Sequence, residues 1–135
     1  MEIKQLDKQV SVSAEPALNE MSALAKGGVT VVVCNRPEHE AEGQPSYAEL
    51  EQAVTEAGME FIAIPFSRGQ MQPAHSEEFA KVLNSGKTIH AFCRTGNRSA
   101  NLWAAASCLN GADKKQLQQT AQQAGFDISG VLVTY

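Results

Sequence analysis

The chain has 135 residues, of which 43% are hydrophobic and 19% charged, and its formal net charge is −4 at pH 7. This length and composition predict one soluble globular domain over residues 1–135 with a single core. A negative balance without a basic block argues against a nucleic-acid partner. No apolar run is long enough to span a bilayer, so no membrane partner is expected either.

Targeting and metal signals are also missing from the sequence. The N-terminal residues lack a basic segment with an apolar run behind it, so we expect no signal peptide. The three cysteines, Cys34, Cys93 and Cys108, are odd in number and have no metal-binding spacing. These features predict a cytoplasmic protein with reduced thiols, without a metal ion or another cofactor.

Strand and helix patterns alternate along the chain. In order, they are a strand at 11–14, a helix at 15–26, strands at 29–34 and 61–66 around a helix at 46–57, a helix at 76–83, a strand at 88–92, and helices at 99–109 and 113–123; residues 128–135 close the chain. The strands are rich in β-branched residues, and the helices have apolar residues on one face. Ser46 with Glu49 has the spacing of a capping box, and Ser76 and Asp113 are expected helix caps.

This alternation predicts a three-layer α/β fold. Its sheet should have four or five mainly parallel strands with helices on both faces. In such sheets, ligands bind beyond the carboxyl ends of the strands. The loops after Cys34, Phe66 and Phe92 should therefore lie along one edge and form the site.

The segment around Cys93 carries the clearest chemical signal. A strand runs into the cysteine, a short loop with Gly96 follows, and Arg98 and Ser99 precede a helix. Loop N–H groups and a helix N-terminus stabilise negative charge, which predicts a Cys93 thiolate that acts as a nucleophile. Arg98 would hold an anionic substrate with its planar fork of donors.

The pattern resembles the phosphatase-like domain family of the beta-lactamase-hydrolase-like proteins, a bacterial group related in fold to dual-specificity tyrosine phosphatases. The segments that carry the resemblance are residues 29–37, 43–46, 64–70, 92–103 and 124–129. The resemblance implies a cysteine phosphatase-like fold and a phosphatase-like or sulfurtransferase activity. Related domains also occur beside persulfide-oxidising enzymes, which implies a possible partner of that kind.

Two departures from tyrosine-type phosphatases are visible. Those enzymes have five residues between the cysteine and the arginine, whereas this chain has four, as in the loops of rhodaneses that hold a persulfide. They also use an aspartate general acid on an upstream loop. The aspartates here are Asp7, Asp113 and Asp127, and none lies in that loop. Residues 67–75 offer Arg68 and His75 instead, so leaving-group protonation lacks its usual donor.

Further residues have two interpretations each. Ser99 could cap the helix or donate to the Cys93 sulfur, and Arg36 could face the substrate or pair with Glu38. We also assign Arg68, and the loop residues Arg94, Thr95, Gly96 and Asn97, to substrate binding. Cys34 is expected to be a buried thiol rather than a partner that resolves an oxidised Cys93. His90 is expected to be packed and bonded to the backbone.

Three functions remain open from the sequence. In the first, Cys93 attacks phosphorus of a phosphate ester while the backbone N–H groups of residues 94–98 and Arg98 bind the oxygens. In the second, Cys93 takes a sulfane sulfur from a small anionic donor as a persulfide and passes it to a thiol acceptor. The third is an anion-binding module without turnover, which the missing aspartate favours.

Overall fold

A five-stranded sheet forms the centre of the molecule, as seen in a computed structural model that describes residues 1–135. Its strands are β1 Lys4–Gln5, β2 Val10–Ala14, β3 Val31–Cys34, β4 Glu60–Ala63 and β5 Ile89–Cys93. They lie in the order β1-β2-β5-β3-β4, and all neighbours are parallel except β1 and β2. The mainly parallel sheet predicted from the sequence is confirmed. The two-residue strand β1 was missed because its residues are polar.

Helices cover both faces of this sheet, which confirms the predicted three layers. They are α1 Met21–Lys26, α2 Tyr47–Glu56, α3 Pro73–Asn84, α4 Asn97–Leu109, α5 Lys114–Ala124 and α6 Ser129–Thr134. Val32 and Phe92 pack with α1 and α2 on one face, whereas Val31, Val33 and Ala91 belong to the core with the other helices. This division follows from the alternation of side chains along a strand. No helix is long and apolar enough to cross a membrane.

Several helix boundaries differ from the predicted ones. The helix predicted over 15–26 is only α1, preceded by a 3-10 turn at Leu18–Glu20, since Pro16 disfavours helical backbone in the residue before it. Helix α3 begins at Pro73 rather than at Ser76, because proline fits the first helical turn. The capping box of Ser46 and Glu49 on α2 is confirmed.

The carboxyl ends of β3, β4 and β5 meet at one edge, as predicted. Hydrogen bonds continue past the strand ends, from Asn35 N to Phe92 O at 2.8 Å and from Phe66 N to Asn35 O at 3.2 Å. The predicted strand at 61–66 ends at Ala63, and Pro65 beyond it has no N–H for a ladder. The loops after these three strands therefore surround one site.

Candidate active site

Cys93 is the last residue of β5, and its side chain is fully buried. The backbone N–H of Gly96 donates to Cys93 Sγ at 3.1 Å. Helix α4 begins one residue later, at Asn97, and its N-terminal N–H groups place partial positive charge near the sulfur. The Gly96 N–H and the N-terminus of α4 thus both face the sulfur.

Gly96 makes the tight turn between β5 and α4. Its φ of 95° lies in the left-handed region, which glycine adopts without strain. A Cβ there would lie 3.3 Å from the carbonyl carbon of Ser13 and 3.4 Å from the ring of Phe126. The loop therefore needs glycine both for its backbone angle and for its close approach to β2.

Arg98 lies in the first turn of α4 and is held by two other segments. Its Nη1 and Nη2 donate to the two oxygens of Glu40, each at 2.7 Å, and Nη1 also donates to Phe66 O at 3.1 Å. The pKa of Arg98 is raised by the hydrogen bonds with Glu40 and further by Cys93. Arg98 also lowers the pKa of Glu40, with help from Arg36. Both groups are charged at neutral pH.

Sequence reasoning missed Glu40. It lies 58 positions from Arg98, in the polar loop after β3, between Glu38 and Glu42. The position of this loop at the carboxyl edge of the sheet indicated that one of its residues could contact the site. Nothing in the sequence distinguishes Glu40 from its two neighbours.

Arg36 does not pair with Glu38, so that alternative was wrong. Its Nε donates to Glu40 at 3.1 Å and its Nη1 to Glu15 at 3.3 Å. Glu38 instead accepts a hydrogen bond from the N–H of Tyr47. Two carboxylates engage the Arg36 guanidinium, which is 10% exposed, and this favours a role in holding Glu40 rather than the substrate.

Ser99 takes neither of the two roles expected for it. Gly96 occupies the cap position of α4, which places Ser99 inside the first turn. Its hydroxyl donates to Asn35 Oδ1 at 2.7 Å, and Asn35 Nδ2 donates to Ile64 O at 3.0 Å. Ser99 and the unpredicted Asn35 thus tie the first turn of α4 to the ends of β3 and β4.

The remaining predicted binding residues lie around the loop. Arg94, Thr95 and Asn97 are exposed, and Thr95 Oγ1 accepts from Asn97 N at 3.3 Å. Arg68 is also exposed and lines the same cavity as Arg98. Their predicted contacts with a substrate stay predictions.

A cavity of about 500 Å³ adjoins Arg98. Its polar lining includes Arg68, Asn97, Arg98 and Asp127, and its apolar lining includes Phe66, Met71, Pro73 and Val131. Asp127 comes from the segment before α6, downstream of the loop where an acid was sought. Hydrogen bonds from Ser129 lower the pKa of Asp127, so it is a carboxylate at neutral pH and has no proton to donate.

His75 and His90 both have hydrogen-bond partners within the fold. His75 stacks on Phe66 with ring centroids 5.1 Å apart, and its Nδ1 accepts from Gln72 N at 2.8 Å. His90 contacts the hydroxyls of Ser11 and Ser13, each at 2.8 Å, rather than the backbone as predicted. Burial lowers the pKa of His90 to about 4, so its ring is neutral at pH 7.

Cys34 differs from Cys93 in its surroundings. Its thiol is buried and donates to Arg36 O at 3.4 Å. Burial raises the pKa of Cys34 to about 12. The predicted buried thiol is confirmed, and at neutral pH Cys34 is protonated.

The sheet order, the thiol at the end of β5 and the loop that leads into α4 define a phosphatase-like α/β protein with a tyrosine-phosphatase-type fold. A family model described as "Beta-lactamase hydrolase-like protein, phosphatase-like domain" matches residues 2–110, and the chain belongs to that family. The resemblance noted from the sequence is thereby confirmed.

Individual relatives agree with this assignment. A beta-lactamase hydrolase-like protein of Agrobacterium fabrum is 23% identical over 130 residues, which are 95% of this chain and 30% of the relative. The chain thus spans about a third of the length of the curated relatives it matches.

Solved structures share the fold. A Neisseria meningitidis protein named "putative phosphatase" is 27% identical, with a TM-score of 0.84 over 99% of this chain and 96% of its own. PTPMT1, solved in complex with PI(5)P, is 18% identical, with a TM-score of 0.76 over 98% and 90% of the two chains. The second likeness concerns the fold alone.

Proposed function

We propose that this chain is a phosphatase that hydrolyses phosphate monoesters through a Cys93 thiolate. Cys93 Sγ attacks phosphorus, the bond to the ester oxygen breaks, and a phosphocysteine forms. Water then attacks phosphorus and releases inorganic phosphate and the Cys93 thiolate. Loop N–H groups and Arg98 stabilise the charge on the oxygens during both steps.

The observation that carries this proposal is the geometry at the end of β5. The sulfur accepts an N–H from Gly96, lies at the N-terminus of α4, and has the Arg98 guanidinium nearby. Activated thiolates are found in such electropositive surroundings. Because Cys93 is fully buried, the groups that cover it must part when substrate enters.

The cavity beside Arg98 is the proposed place for the organic half of the ester. Its volume of about 500 Å³ falls in the range of small-molecule sites. Phe66, Met71 and Val131 would contact an apolar group, and Arg68 would contact a polar or anionic substituent on it. These contacts favour an aryl or similarly apolar phosphate.

A sulfurtransferase is the second candidate, and the loop length favours it. Four residues separate Cys93 from Arg98, and the carboxylates near the site, Glu40 and Asp127, have lowered pKa values. Sulfur transfer needs no proton donor: Cys93 attacks the outer sulfur of thiosulfate, sulfite leaves with the electron pair, and a thiol acceptor later removes the sulfur. A persulfide-oxidising enzyme is the partner proposed for this form.

One preparation assayed with an aryl phosphate and with thiosulfate tests both candidates. If the chain is a phosphatase, it should release phosphate, and Cys93→Ser should abolish that release. The matched thiol controls, Cys34→Ser and Cys108→Ser, should still release phosphate. The opposite result is an extra sulfur on Cys93, seen by intact mass and removable by cyanide, together with no phosphate release. That result would overturn the phosphatase proposal in favour of the sulfurtransferase. If neither reaction occurs but sulfate still binds at Arg98, the anion-binding module is the remaining candidate.

A further inference from the structure

Three polar side chains are buried in the two strands that end beside the Cys93 loop. They are Ser11 and Ser13 on β2 and His90 on β5, and they are 5%, 3% and 0% exposed, in that order. Burying polar groups costs stability unless all of them find partners, and a fully bonded network then makes its surroundings rigid. Here no buried side-chain nitrogen or oxygen lacks a partner, so the network meets this condition.

The directions of its hydrogen bonds follow from a count of protons. Ser13 has one hydroxyl proton, and its Oγ donates that proton to Ala14 O at 2.7 Å. Ser13 Oγ therefore accepts from His90 Nε2, 2.8 Å away, which carries the one proton of the neutral ring. His90 Nδ1 then has a lone pair and accepts from the hydroxyl of Ser11 at 2.8 Å.

Ser13 also forms the surface on which the Cys93 loop lies. Ala14 and Cys93 are register partners at the ends of β2 and β5. A Cβ on Gly96 would lie 3.3 Å from the carbonyl carbon of Ser13 and 3.4 Å from its oxygen, so the two backbones are in close contact. The N–H of the same Gly96 donates to Cys93 Sγ at 3.1 Å. A shift of the Ser13 backbone would therefore move the N–H group that contacts the sulfur.

We propose that Ser13, held by the Nε2–H of His90, is a positioning residue of this site: it fixes the end of β2 and thereby the Gly96 N–H beside Cys93. The inference deepens the proposed function and rests on it. Ser13 and His90 act through the backbone of the loop, without touching substrate.

A network that served stability alone would have a different consequence. Ser11 and Ser13 lie on the same strand and contact the two ring nitrogens of His90 at the same distance. Loss of either hydroxyl would then have the same effects. Positioning instead predicts that only Ser13, whose backbone contacts Gly96, affects the loop.

The test compares Ser13→Ala with Ser11→Ala and uses orthovanadate as the probe of the loop. Each variant removes one buried hydroxyl from His90, so both should lower the melting temperature. Only Ser13→Ala should weaken vanadate binding, by ~10-fold in a calorimetric titration, the scale of one misplaced hydrogen bond to a charged group. Its kcat on an aryl phosphate should fall in parallel. Ser11→Ala should match the wild type in vanadate affinity and in kcat.

Two variants of His90 separate its hydrogen bond from its bulk. His90→Gln keeps a side-chain N–H for Ser13 Oγ and should keep the vanadate affinity of the wild type. His90→Leu has no donor and should lose affinity to the same extent as Ser13→Ala.

¹⁵N NMR of the wild type tests the hydrogen-bond directions without any substitution, because it shows which ring nitrogen of His90 carries the proton. We expect Nε2. A proton on Nδ1, equal vanadate affinities of the two serine variants, or a loss of affinity in His90→Gln would each overturn the inference. If the wild type binds vanadate but hydrolyses no phosphate ester, the proposed function fails by itself, and the two serine variants still decide the role of Ser13. A wild type that binds no vanadate would overturn both.

Discussion

Arg98 combines two contacts that lysine could not provide. One edge of its guanidinium binds both oxygens of Glu40, and under the proposed function the other edge binds the substrate anion. A lysine ammonium is a single point charge and would have to choose between these partners. The planar shape of the side chain, as much as its charge, therefore explains an arginine at this position.

Cys93 and Cys34 are two buried thiols with different hydrogen-bond partners. They end neighbouring strands, β5 and β3, and both side chains are buried. Cys93 accepts an N–H from Gly96, whereas the Cys34 thiol donates to a carbonyl. Only the first contact stabilises a thiolate, so the two cysteines should differ in reactivity despite equal burial.

His90 should make the free energy of unfolding depend on pH. Its folded-state pKa of about 4 lies below the ordinary 6.5, so the unfolded chain binds a proton first as pH falls. Neutral His90 contributes fully to the free energy of unfolding above pH 6.5. As pH falls toward 4 this contribution is lost, and the free energy of unfolding decreases by at most about 1.4 kcal/mol per pH unit. Urea unfolding at several pH values measures this slope.

The variant His90→Gln should reduce that slope, since glutamine can still contact both serine hydroxyls but does not titrate. His39→Asn is the control, because His39 is exposed and asparagine tolerates its positive φ of 62°. An equal pH slope in His90→Gln and the wild type would show that other groups cause it.

The turn between β5 and α4 depends on Gly96. Gly96→Ala adds both backbone strain and a close contact with Ser13, whereas Gly111→Ala adds strain alone, since nothing lies within 4 Å of a Cβ there. Because of the positive φ, each substitution should lower the free energy of unfolding by on the order of 1 kcal/mol. Gly96→Ala should also lower kcat/KM by at least ~10-fold through displacement of the loop.

Thermal unfolding and steady-state kinetics of the two variants check this prediction. Gly111→Ala should lower the melting temperature while leaving kcat/KM at the wild-type value. Equal activity of both variants would mean that the loop tolerates a side chain at Gly96.

Under the proposed function, the residues at this edge should make the rate depend on the leaving group. Asp127 is ionised, and His75 lies against Phe66 rather than in the cavity lining. Without a proton donor, alkyl phosphates should react ~10²- to 10⁴-fold more slowly than activated aryl phosphates. Rates measured on a series of leaving groups would give a steep dependence on leaving-group pKa; a flat dependence would mean that a side chain donates the proton.

The elements of this edge were predictable to different degrees. The strand, loop and helix around Cys93 follow from local sequence, since β-branched residues, glycine and a helical pattern are adjacent. The partners of Arg98 and Ser99 do not, because Glu40 and Asn35 lie 58 and 64 positions away. Helix starts were also misplaced at Ser76 and Ser99, where a proline and a left-handed glycine begin the helix earlier than the serine.

Across the whole molecule, the cavity is built from three separate segments: the loop before α3, the first turns of α4 and the C-terminal segment. The family model covers residues 2–110, while Asp127, Gly130 and Val131 come from the segment that follows it. This C-terminal segment therefore contributes one wall of the proposed substrate cavity, which the Cys93 loop alone does not define.

Gly130 offers a way to test the role of this wall. A Cβ there meets nothing within 4 Å, so Gly130→Leu should fit and reduce the cavity volume. For a naphthyl phosphate we expect KM to rise several-fold, which corresponds to a loss of about 1 kcal/mol in binding free energy. For a small acyl phosphate KM should change little. An equal change for both substrates would place the organic group elsewhere.

A crystal structure with orthovanadate would show whether the Cys93 loop and Arg98 form one oxyanion site. We expect vanadium bonded to Cys93 Sγ, with its oxygens on the loop N–H groups and on Nε and Nη2 of Arg98, while Glu40 stays on the other edge of the guanidinium. Vanadate bound elsewhere with the Cys93 loop empty, or held by Arg98 away from the sulfur, would contradict it.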